Sequence, residues 1–213
     1  CKELMNLLKS NIIIVLLLLI GAGRSYAQDV TLLDRLYEKF ADSCVELEYS
    51  YASKISGVNI NGSGILQIQG SMWHNKGNGV EVWCDGKTIW TVDLAAEEVV
   101  IDSVSDASEE ELTNPALMFV HIKELFNLKQ TVKSTDGKAD IFILEPIDEV
   151  DIDFFNIEIM KSDASIRSGS FALSDGNKFN IKVSSMKQMQ KKPATSFKPS
   201  QTFDSSWIVT DLR

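Results

Sequence analysis

The stretch EVWCDGKTIWTVD, Glu81 to Asp93, predicts a β-hairpin. Asp85-Gly86 is a dipeptide typical of tight hairpin turns, and both flanks are rich in Val, Ile, Trp and Thr, which strands favour. Similar Asx-Gly dipeptides separate other short runs of apolar and β-branched residues, beginning at Asn61, Asp136 and Asp175. The chain is therefore expected to fold largely as a succession of antiparallel hairpins.

The register of the Glu81–Asp93 hairpin decides which of its side chains share a face. With Asp85 and Gly86 as the two central residues of the turn, Trp83 lies opposite Thr88. Trp83 and Trp90 are then diagonal neighbours on one face, and Cys84 lies on the other face. The cysteine therefore does not belong to the tryptophan cluster.

Before this hairpin the pattern changes from helix to strand. Residues 31–44 place apolar side chains at helical spacing, and Thr31 with Asp34 makes a capping-box-like start. Residues 45–52, VELEYSYA, alternate strictly between apolar and polar side chains, which is typical of a half-buried strand. An amphipathic first helix is therefore expected to lead directly into the first strand.

Most of the remaining chain predicts short strands joined by short turns. Such a run of sequential antiparallel strands implies one large curved sheet or an open barrel. Beyond the strand in residues 45–52, ten strands are expected: Gly64–Gln69, Ser71–Asn75, Val80–Cys84, Lys87–Leu94, Glu98–Ser103, Leu128–Ser134, Ala139–Glu145, Asn156–Lys161, Ser165–Ser174 and Lys178–Met186.

A second helix interrupts the strands. Asn114 has the side chain of a helix cap, and Pro115 suits the first helical position, so a helix is expected from Pro115 to about Phe126. Its sequence leaves almost no polar face, whereas a surface helix shows an apolar stripe of roughly 100°. This helix is therefore expected to be covered on several sides by core, partner or ligand.

The amino-terminal residues 1–27 resemble a secretory signal peptide. Lys9 precedes an unbroken apolar run from Ile12 to Ile20, and this run is shorter than the roughly 20 residues of a membrane span. Ser25 and Ala27 have the small side chains that cleavage requires, so the cut is placed after Ala27 and residues 28–213 form one domain. No cysteine stands directly after the cut, so no lipid anchor is expected there. Met5 is expected to be the true start, because Cys1 precedes the apolar run.

Charge and cysteine content narrow the function further. The chain has a formal net charge of −9, and a negative surface repels phosphate backbones and anionic headgroups, so nucleic-acid binding is not expected. Export makes a Cys44–Cys84 disulfide conceivable, because these two cysteines remain after cleavage. Two buried free thiols are the commoner arrangement and are favoured here.

The sequence offers no arrangement of catalytic or metal-binding residues. Its two histidines, His74 and His121, belong to no hydrolase or metalloprotease motif. Glu149, Asp151 and Asp153 lie at alternate positions but lack the glycine and spacing of an EF-hand, so solvated charges at a strand edge are favoured over calcium. Neither an enzyme nor a cofactor-dependent or metal-dependent protein is expected.

The order and spacing of several motifs resemble the outer-membrane lipoprotein carrier protein (LolA) family in its Bacteroidetes form. The resemblance covers nearly all of residues 28–213. It rests on these motifs: GILQIQGSMWH, Asp85-Gly86-Lys87-Thr88-x-Trp90, EEVVI, Asn114-Pro115 within NPALMF, an LEP strand, and SFKP followed by Val209-x-Asp211-Leu212-Arg213.

This resemblance implies an α+β, mainly β fold: an unclosed barrel covered by an amino-terminal helix and lid helices. It implies a periplasmic chaperone, expected to be monomeric, that takes acylated lipoproteins from an inner-membrane releasing transporter to an outer-membrane acceptor. Residues expected to line an apolar cavity for acyl chains are Leu66, Ile68, Met72, Trp83, Trp90, Phe142 and Leu144. Residues expected to form the inner face of the lid are Leu117, Met118, Phe119 and Ile122.

The chain departs from the best-known branch of that family at one point. Members of that branch carry Arg-Pro after the strand equivalent to Gly64–Gln69, and the arginine is implicated in holding the lid closed. Here the matching positions are Gly70-Ser71, so no arginine is carried over and no latch residue is assigned. The alternatives are an exported structural or interaction protein with a filled interior, another binder of hydrophobic ligands, and an exported hydrolase.

Overall fold

The computed structural model describes residues 32–55, 58–104, 119, 122–148, 152–173 and 176–213. Residues 32–42 are helical and form α1. Leu33, Leu36 and Phe40 of this helix are buried at helical spacing, because an amphipathic helix is stable only when its apolar stripe is covered. The expectation of an amphipathic first helix leading into the first strand is confirmed.

The other elements in the described ranges are twelve strands and two short helical segments. Their bounds are β1 Cys44–Ile55, β2 Val58–Gln69, β3 Met72–Gly77, β4 Val80–Cys84, β5 Thr88–Asp93, β6 Glu98–Ser103, α2 Ile122–Leu125, β7 Phe126–Lys133, β8 Ala139–Pro146, β9 Ile152–Met160, β10 Ile166–Leu173, β11 Lys178–Met189, a 3-10 helix Ala194–Phe197 and β12 Ile208–Asp211.

All twelve strands belong to one unclosed sheet, as the strand pattern predicts. Its order is β12-β6-β5-β4-β3-β2-β1-β11-β10-β9-β8-β7. Strand β1 pairs antiparallel with both β2 and β11, and it thereby joins the two meanders β2–β6 and β7–β11. Among the strands that the structure describes, only β12 pairs in parallel, against β6. The two faces of this large curved sheet are covered by different parts of the chain.

The strand pairing assigns side chains to these faces. Val45 lies opposite Ile68 and Leu47 opposite Leu66, and these side chains join α1, Phe119 and the buried residues of β8–β11 in one apolar cluster. We call this side the concave face. The alternate side chains, among them Glu46 and Gln67, point the other way, and we call that side the convex face.

Two turn predictions need correction. In the Glu81–Asp93 hairpin Trp83 pairs with Trp90 and Cys84 with Ile89, so the centre of the turn is shifted by one residue from the predicted one, and Asp85, Gly86 and Lys87 connect β4 with β5. The cause is Asp85, whose carboxylate accepts hydrogen bonds from the backbone N–H groups of Lys87 and Thr88 at 3.0 and 2.9 Å, and whose own N–H donates to the Thr88 carbonyl at 3.2 Å, so Asp85 flanks the turn instead of standing at its centre. The two tryptophans still share a face, as expected, but directly opposite each other.

The Asn61-Gly62 dipeptide does not form a turn. It lies inside β2, where Asn61 pairs with Ala52 and Gly62 with Tyr51, and the pairing of β1 with β2 continues as far as Ile55 and Val58. Glycine is needed at position 62 for another reason, because the ring of Tyr51 lies where a side chain would begin. Composition alone cannot distinguish these two uses of glycine.

Several expectations fall wholly or partly outside the described residues. These are the signal peptide, His121, Leu117 and Met118 of the lid, Glu149, Asp151 and the turn at Asp175. Of the predicted second helix, Phe119 is helical and α2 covers Ile122–Leu125, after which Phe126 begins β7. None of the helices in the described ranges has the length and apolarity needed to cross a membrane.

The carboxyl-terminal segment, residues 190–207, packs on the convex face. Phe197 is fully buried. The Lys192 backbone N–H donates to the Gln69 side-chain oxygen at 2.7 Å, and the Gln69 side-chain amide donates to the Lys192 carbonyl at 2.9 Å. Lys198 forms an ion pair with Asp85 at 2.8 Å. The segment thereby covers strands β2–β5 from outside before the chain returns to the sheet edge as β12.

Candidate functional site

The apolar concave face is the candidate site, and part of it is filled by the chain itself. Phe119 and Ile122 are 2% and 1% exposed, and the ring of Phe119 lies 6.1 Å from that of Phe155 on β9. Leu36 and Phe40 of α1 belong to the same cluster. These side chains occupy the volume that a ligand in this part of the sheet would need.

Another part of the concave face is an open groove. It is lined mainly by aromatic and aliphatic side chains of β1, β10 and β11, and its volume is 240 Å³. We call it the aromatic groove and define it by Tyr49, Tyr51, Phe171, Phe179 and Ile181. The rings of Phe171 and Phe179 stack with their centroids 4.5 Å apart. An apolar groove of this kind, with a few polar groups, suits the binding of a hydrophobic ligand.

The two tyrosines of the groove are held by hydrogen bonds to the β3–β4 hairpin. The Tyr49 hydroxyl donates to Asn75 Oδ1 at 2.8 Å, and Asn78 Nδ2 donates to the Tyr51 hydroxyl at 2.6 Å. Burial raises the pKa of Tyr49, and its hydrogen bond to Asn75 offsets part of this change. The Tyr49 hydroxyl is therefore neutral at physiological pH, and its ring faces the groove.

The structure divides the predicted cavity residues between two faces. Leu66, Ile68, Phe142 and Leu144 are buried in the concave cluster. Met72 pairs with Gln69 and Trp83 with His74, which places Met72, Trp83 and Trp90 on the convex face. The prediction that these three residues line the same cavity as the other four is therefore wrong. The alternation along a strand shows which side chains share a face. When both faces carry apolar groups, it does not show which face points inward.

On the convex face Trp83 packs against His74, and Trp90 lies beside Lys198 of the carboxyl-terminal segment. The imidazole of His74 stacks on Trp83 with ring centroids 3.4 Å apart and contacts Glu81 at 3.2 Å. Burial lowers the pKa of His74, although the contact with Glu81 partly opposes this. The Lys198 ammonium lies 5.7 Å from the centre of the Trp90 ring. These contacts explain the tryptophans as packing residues.

Cys44 and Cys84 are both free, buried thiols. Cys84 pairs with Trp73 and Ile89 on the concave side, whereas Cys44 pairs with Met189 on the convex side, so the sheet separates them. Burial raises the pKa of both thiols, which lowers their reactivity at neutral pH because less thiolate is present. The preference for free thiols over a disulfide is confirmed.

The convex face has a larger groove, of 440 Å³, across β1, β9, β10 and β11. Several of its lining side chains are polar, including Ser168, Ser170 and Arg167. Arg167 forms ion pairs with Glu158 at 3.1 Å and Asp136 at 2.8 Å, and hydrogen bonds from Arg167 and Ser134 hold the pKa of Asp136 far below its usual range. The ion pairs of Arg167 place charged groups at this groove, which makes it less suited to an acyl chain than the aromatic groove. Within the ranges that the structure describes, no three His, Cys, Asp or Glu side chains cluster as metal ligands.

The sequence matches a known family over much of this architecture. The model of the family described as outer membrane lipoprotein carrier protein LolA matches residues 71–200, more than half of the chain. The chain belongs to this family. The match extends from the start of β3 to the carboxyl-terminal segment and includes the groove residues of β10 and β11. The resemblance drawn from the sequence motifs is thereby confirmed at the level of the family.

Solved structures extend the comparison to the fold. An uncharacterized conserved protein from Thermus thermophilus is similar with a TM-score of 0.54 at 14% identity, covering 86% of this chain and 98% of that one. A LolA superfamily protein from Nitrosomonas europaea has a TM-score of 0.44 at 11% identity, covering 79% and 96%. A putative outer membrane lipoprotein-sorting protein domain from Vibrio parahaemolyticus has a TM-score of 0.43 at 11% identity, covering 78% and 95%. No curated protein matches the sequence.

The aromatic groove contains residues that the sequence reasoning missed. A usable signal was present: Gly62, Gly64, Leu66 and Ile68 alternate along β2, and Tyr49 and Tyr51 alternate along β1. Glycines on the concave side of one strand, opposite tyrosines on the next, indicate that the tyrosines approach the bare backbone closely. The Asn61-Gly62 turn signal obscured this pattern.

Proposed function

We propose that this protein is a periplasmic carrier that shields the acyl chains of lipoproteins in the concave face of its sheet. The observation that carries the proposal is the aromatic groove, which is open, apolar and adjoins the apolar cluster filled by Phe119 and Ile122. Membership of the lipoprotein carrier family and the signal-peptide pattern of residues 1–27 support it.

The energies of exchange are favourable for an acyl chain. Burial of a Phe or Ile side chain contributes about 1.5–3 kcal/mol, so removing Phe119 and Ile122 from the sheet costs about 3–6 kcal/mol. Burial of an acyl chain contributes about 0.8 kcal/mol per methylene, so about four to eight methylenes offset this cost. One acyl chain of a lipoprotein is longer than that. The empty protein thus fills its own concave face, and cargo replaces the filling side chains.

In this account the segment that includes Phe119 and Ile122 is a lid. Cargo shifts it only to the extent that cargo binds the open form more tightly than the closed form. Leu117 and Met118 are assigned to the inner face of the same lid. The chain would receive lipoproteins from an inner-membrane transporter and deliver them to an outer-membrane acceptor as a monomer, without a cofactor or a catalytic step.

A transfer assay tests this function. Vesicles that contain a fluorescent triacylated lipopeptide are mixed with the protein, the vesicles are sedimented, and lipopeptide in the supernatant is measured. The expected result is soluble lipopeptide in proportion to added protein. If the supernatant holds no more lipopeptide than a control without protein, the carrier function is wrong.

The filled part of the concave face favours a second candidate function. A structural or interaction protein would use Phe119, Ile122 and α1 as permanent core, with no exchange for cargo. Hydrogen exchange of the Ile122–Leu125 amides distinguishes the two, because a permanent core exchanges only with global unfolding, whereas a lid opens at a lower free energy.

A further inference from the structure

The aromatic groove has a floor that glycine makes possible. Tyr51 lies directly opposite Gly62 in the β1–β2 ladder, and Tyr49 lies opposite Gly64. A Cβ atom added at Gly62 would lie 2.5 Å from the Tyr51 ring, and one at Gly64 would lie 2.9 Å from the Tyr49 hydroxyl. Both tyrosines therefore lie over the backbone of β2, in space that the side chain of any other residue would occupy.

Hydrogen bonds from beyond β2 keep the rings in this position. The hydroxyls reach across the glycine strand to Asn75 on β3 and Asn78 in the β3–β4 turn. The ring centroids of Tyr49 and Tyr51 are 6.4 Å apart with an interplanar angle of 29°, so the two rings form one nearly continuous surface. Opposite this surface, Phe171, Phe179 and Ile181 supply the other wall of the groove.

The groove has room for one hydrocarbon chain. An apolar cavity of about 150 Å³ holds a benzene molecule, so a volume of 240 Å³ corresponds by proportion to about ten carbon atoms. That is a large part of one acyl chain and far less than the chains of a triacylated lipid. Aromatic side chains on both sides of the groove suit the binding of an extended hydrocarbon chain.

We propose that the Gly62–Tyr51 and Gly64–Tyr49 pairs are specificity-determining elements that keep open a subsite for a single extended acyl chain. This inference rests on the proposed carrier function and adds to it which residues admit a chain and how many chains enter. The glycines act by leaving space for the tyrosines over β2, and the asparagines act by holding the hydroxyls through hydrogen bonds. Any additional acyl chain of the cargo is held elsewhere on the concave face.

The decisive variant is Gly62→Ala. The atoms that its Cβ would meet are the ring of Tyr51 and the side-chain amide of Asn78, and both can move. Since the backbone of β2 blocks one side, the ring must lift into the groove. At Gly64 the added Cβ would instead meet the backbone oxygen of Lys76 at 2.7 Å, so Gly64→Ala is a less selective test.

The probes are cysteinyl peptides that carry one acyl chain of about six to sixteen carbons, with affinity measured by calorimetry. Gly62→Ala is expected to weaken binding of the ten-carbon probe at least about tenfold, because the displaced ring prevents the burial of about two methylene groups of the probe. The matched control is Asn61→Ala, which alters the neighbouring residue of the same strand on the convex, exposed side and should bind like the parent.

A double-mutant cycle isolates the ring as the cause. In a Tyr51→Ala background the change Gly62→Ala displaces no ring and should alter affinity less than about twofold. If Gly62→Ala does not fold, as judged by thermal unfolding, Phe179→Trp narrows the same groove from its other wall and should weaken the ten-carbon probe to a similar extent.

The outcomes separate this inference from the carrier function. If the parent binds the probes and Gly62→Ala binds them equally well, or if the loss persists in the Tyr51→Ala background, the single-chain subsite is wrong while the carrier function stands. If the parent binds no acylated probe of any length, both are wrong.

Discussion

Replacing Phe119 by glutamate distinguishes a movable lid from a fixed part of the core. Phe119 is 2% exposed and its ring packs near Phe155. A carboxylate cannot remain in that position unpaired without a penalty of several kcal/mol. If the segment is a lid, it detaches and the protein loses only the burial of one phenylalanine, about 1.5–3 kcal/mol.

A strand residue supplies the comparison. Phe142 lies at the centre of β8 and is fully buried, and its side chain cannot leave the concave face without breaking the sheet. Phe142→Glu is therefore expected to lose more than about 5 kcal/mol, or not to fold, because the cavity and the buried charge add together. The predicted difference between the two variants is at least about 2 kcal/mol.

The assay is urea unfolding followed by far-ultraviolet circular dichroism, together with the rate at which bound lipopeptide passes to acceptor vesicles. Phe119→Glu should keep a cooperative unfolding transition and release its cargo faster than the parent, since the lid no longer covers the chains. A loss of stability equal to that of Phe142→Glu would mean that Phe119 is fixed core. If neither the stability nor the rate of cargo release changes, Phe119 has no part in retaining cargo.

Three further predictions concern the convex face and the thiols. Phe197→Ala should lower the free energy of unfolding by about 3–5 kcal/mol in urea titrations, because it empties a fully buried position under the carboxyl-terminal segment; a loss below about 1 kcal/mol would mean that this segment does not hold the sheet. The folded state lowers the pKa of His74, so its contribution to stability is complete above pH 6.5, the ordinary value, and is lost as the pH falls through the lower folded pKa. The parent should thus lose stability relative to His74→Gln in acid, and parallel pH profiles would contradict this. Cys44 and Cys84 should be alkylated by iodoacetamide only on unfolding, and neither Cys84→Ser nor chelation should change cargo affinity tenfold, which is about 1.4 kcal/mol.

The sequence predicted the class of the fold because hydrophobic period and turn chemistry are local properties. The alternation in residues 45–52 and the Asp85-Gly86 turn correctly indicate strands and hairpins. Residues 190–207 contain no periodic pattern, and their position over the convex face depends on distant partners such as Gln69 and Asp85. Sequence patterns of short range could not predict that cover.

The site was harder to predict for the same reason. Met72, Trp83 and Trp90 alternate as strand residues should, but the convex face is apolar where the carboxyl-terminal segment covers it, so apolarity did not identify the inward side. Because the sequence did not reveal that this segment covers the convex face, Trp83 and Trp90 were assigned to the cavity. Tyr51 and Gly62 were overlooked because their significance lies in a pairing across two strands.

The most direct test of the central claim is to identify what the protein carries in the cell. Affinity-tagged protein is recovered from the periplasm under mild conditions, and molecules that co-purify are identified by mass spectrometry, with Gly62→Ala purified in parallel. Acylated lipoproteins are expected to be bound to the parent, with a lower occupancy in the variant. Recovery of the parent without any acylated molecule, from cells that are actively exporting lipoproteins, would contradict it.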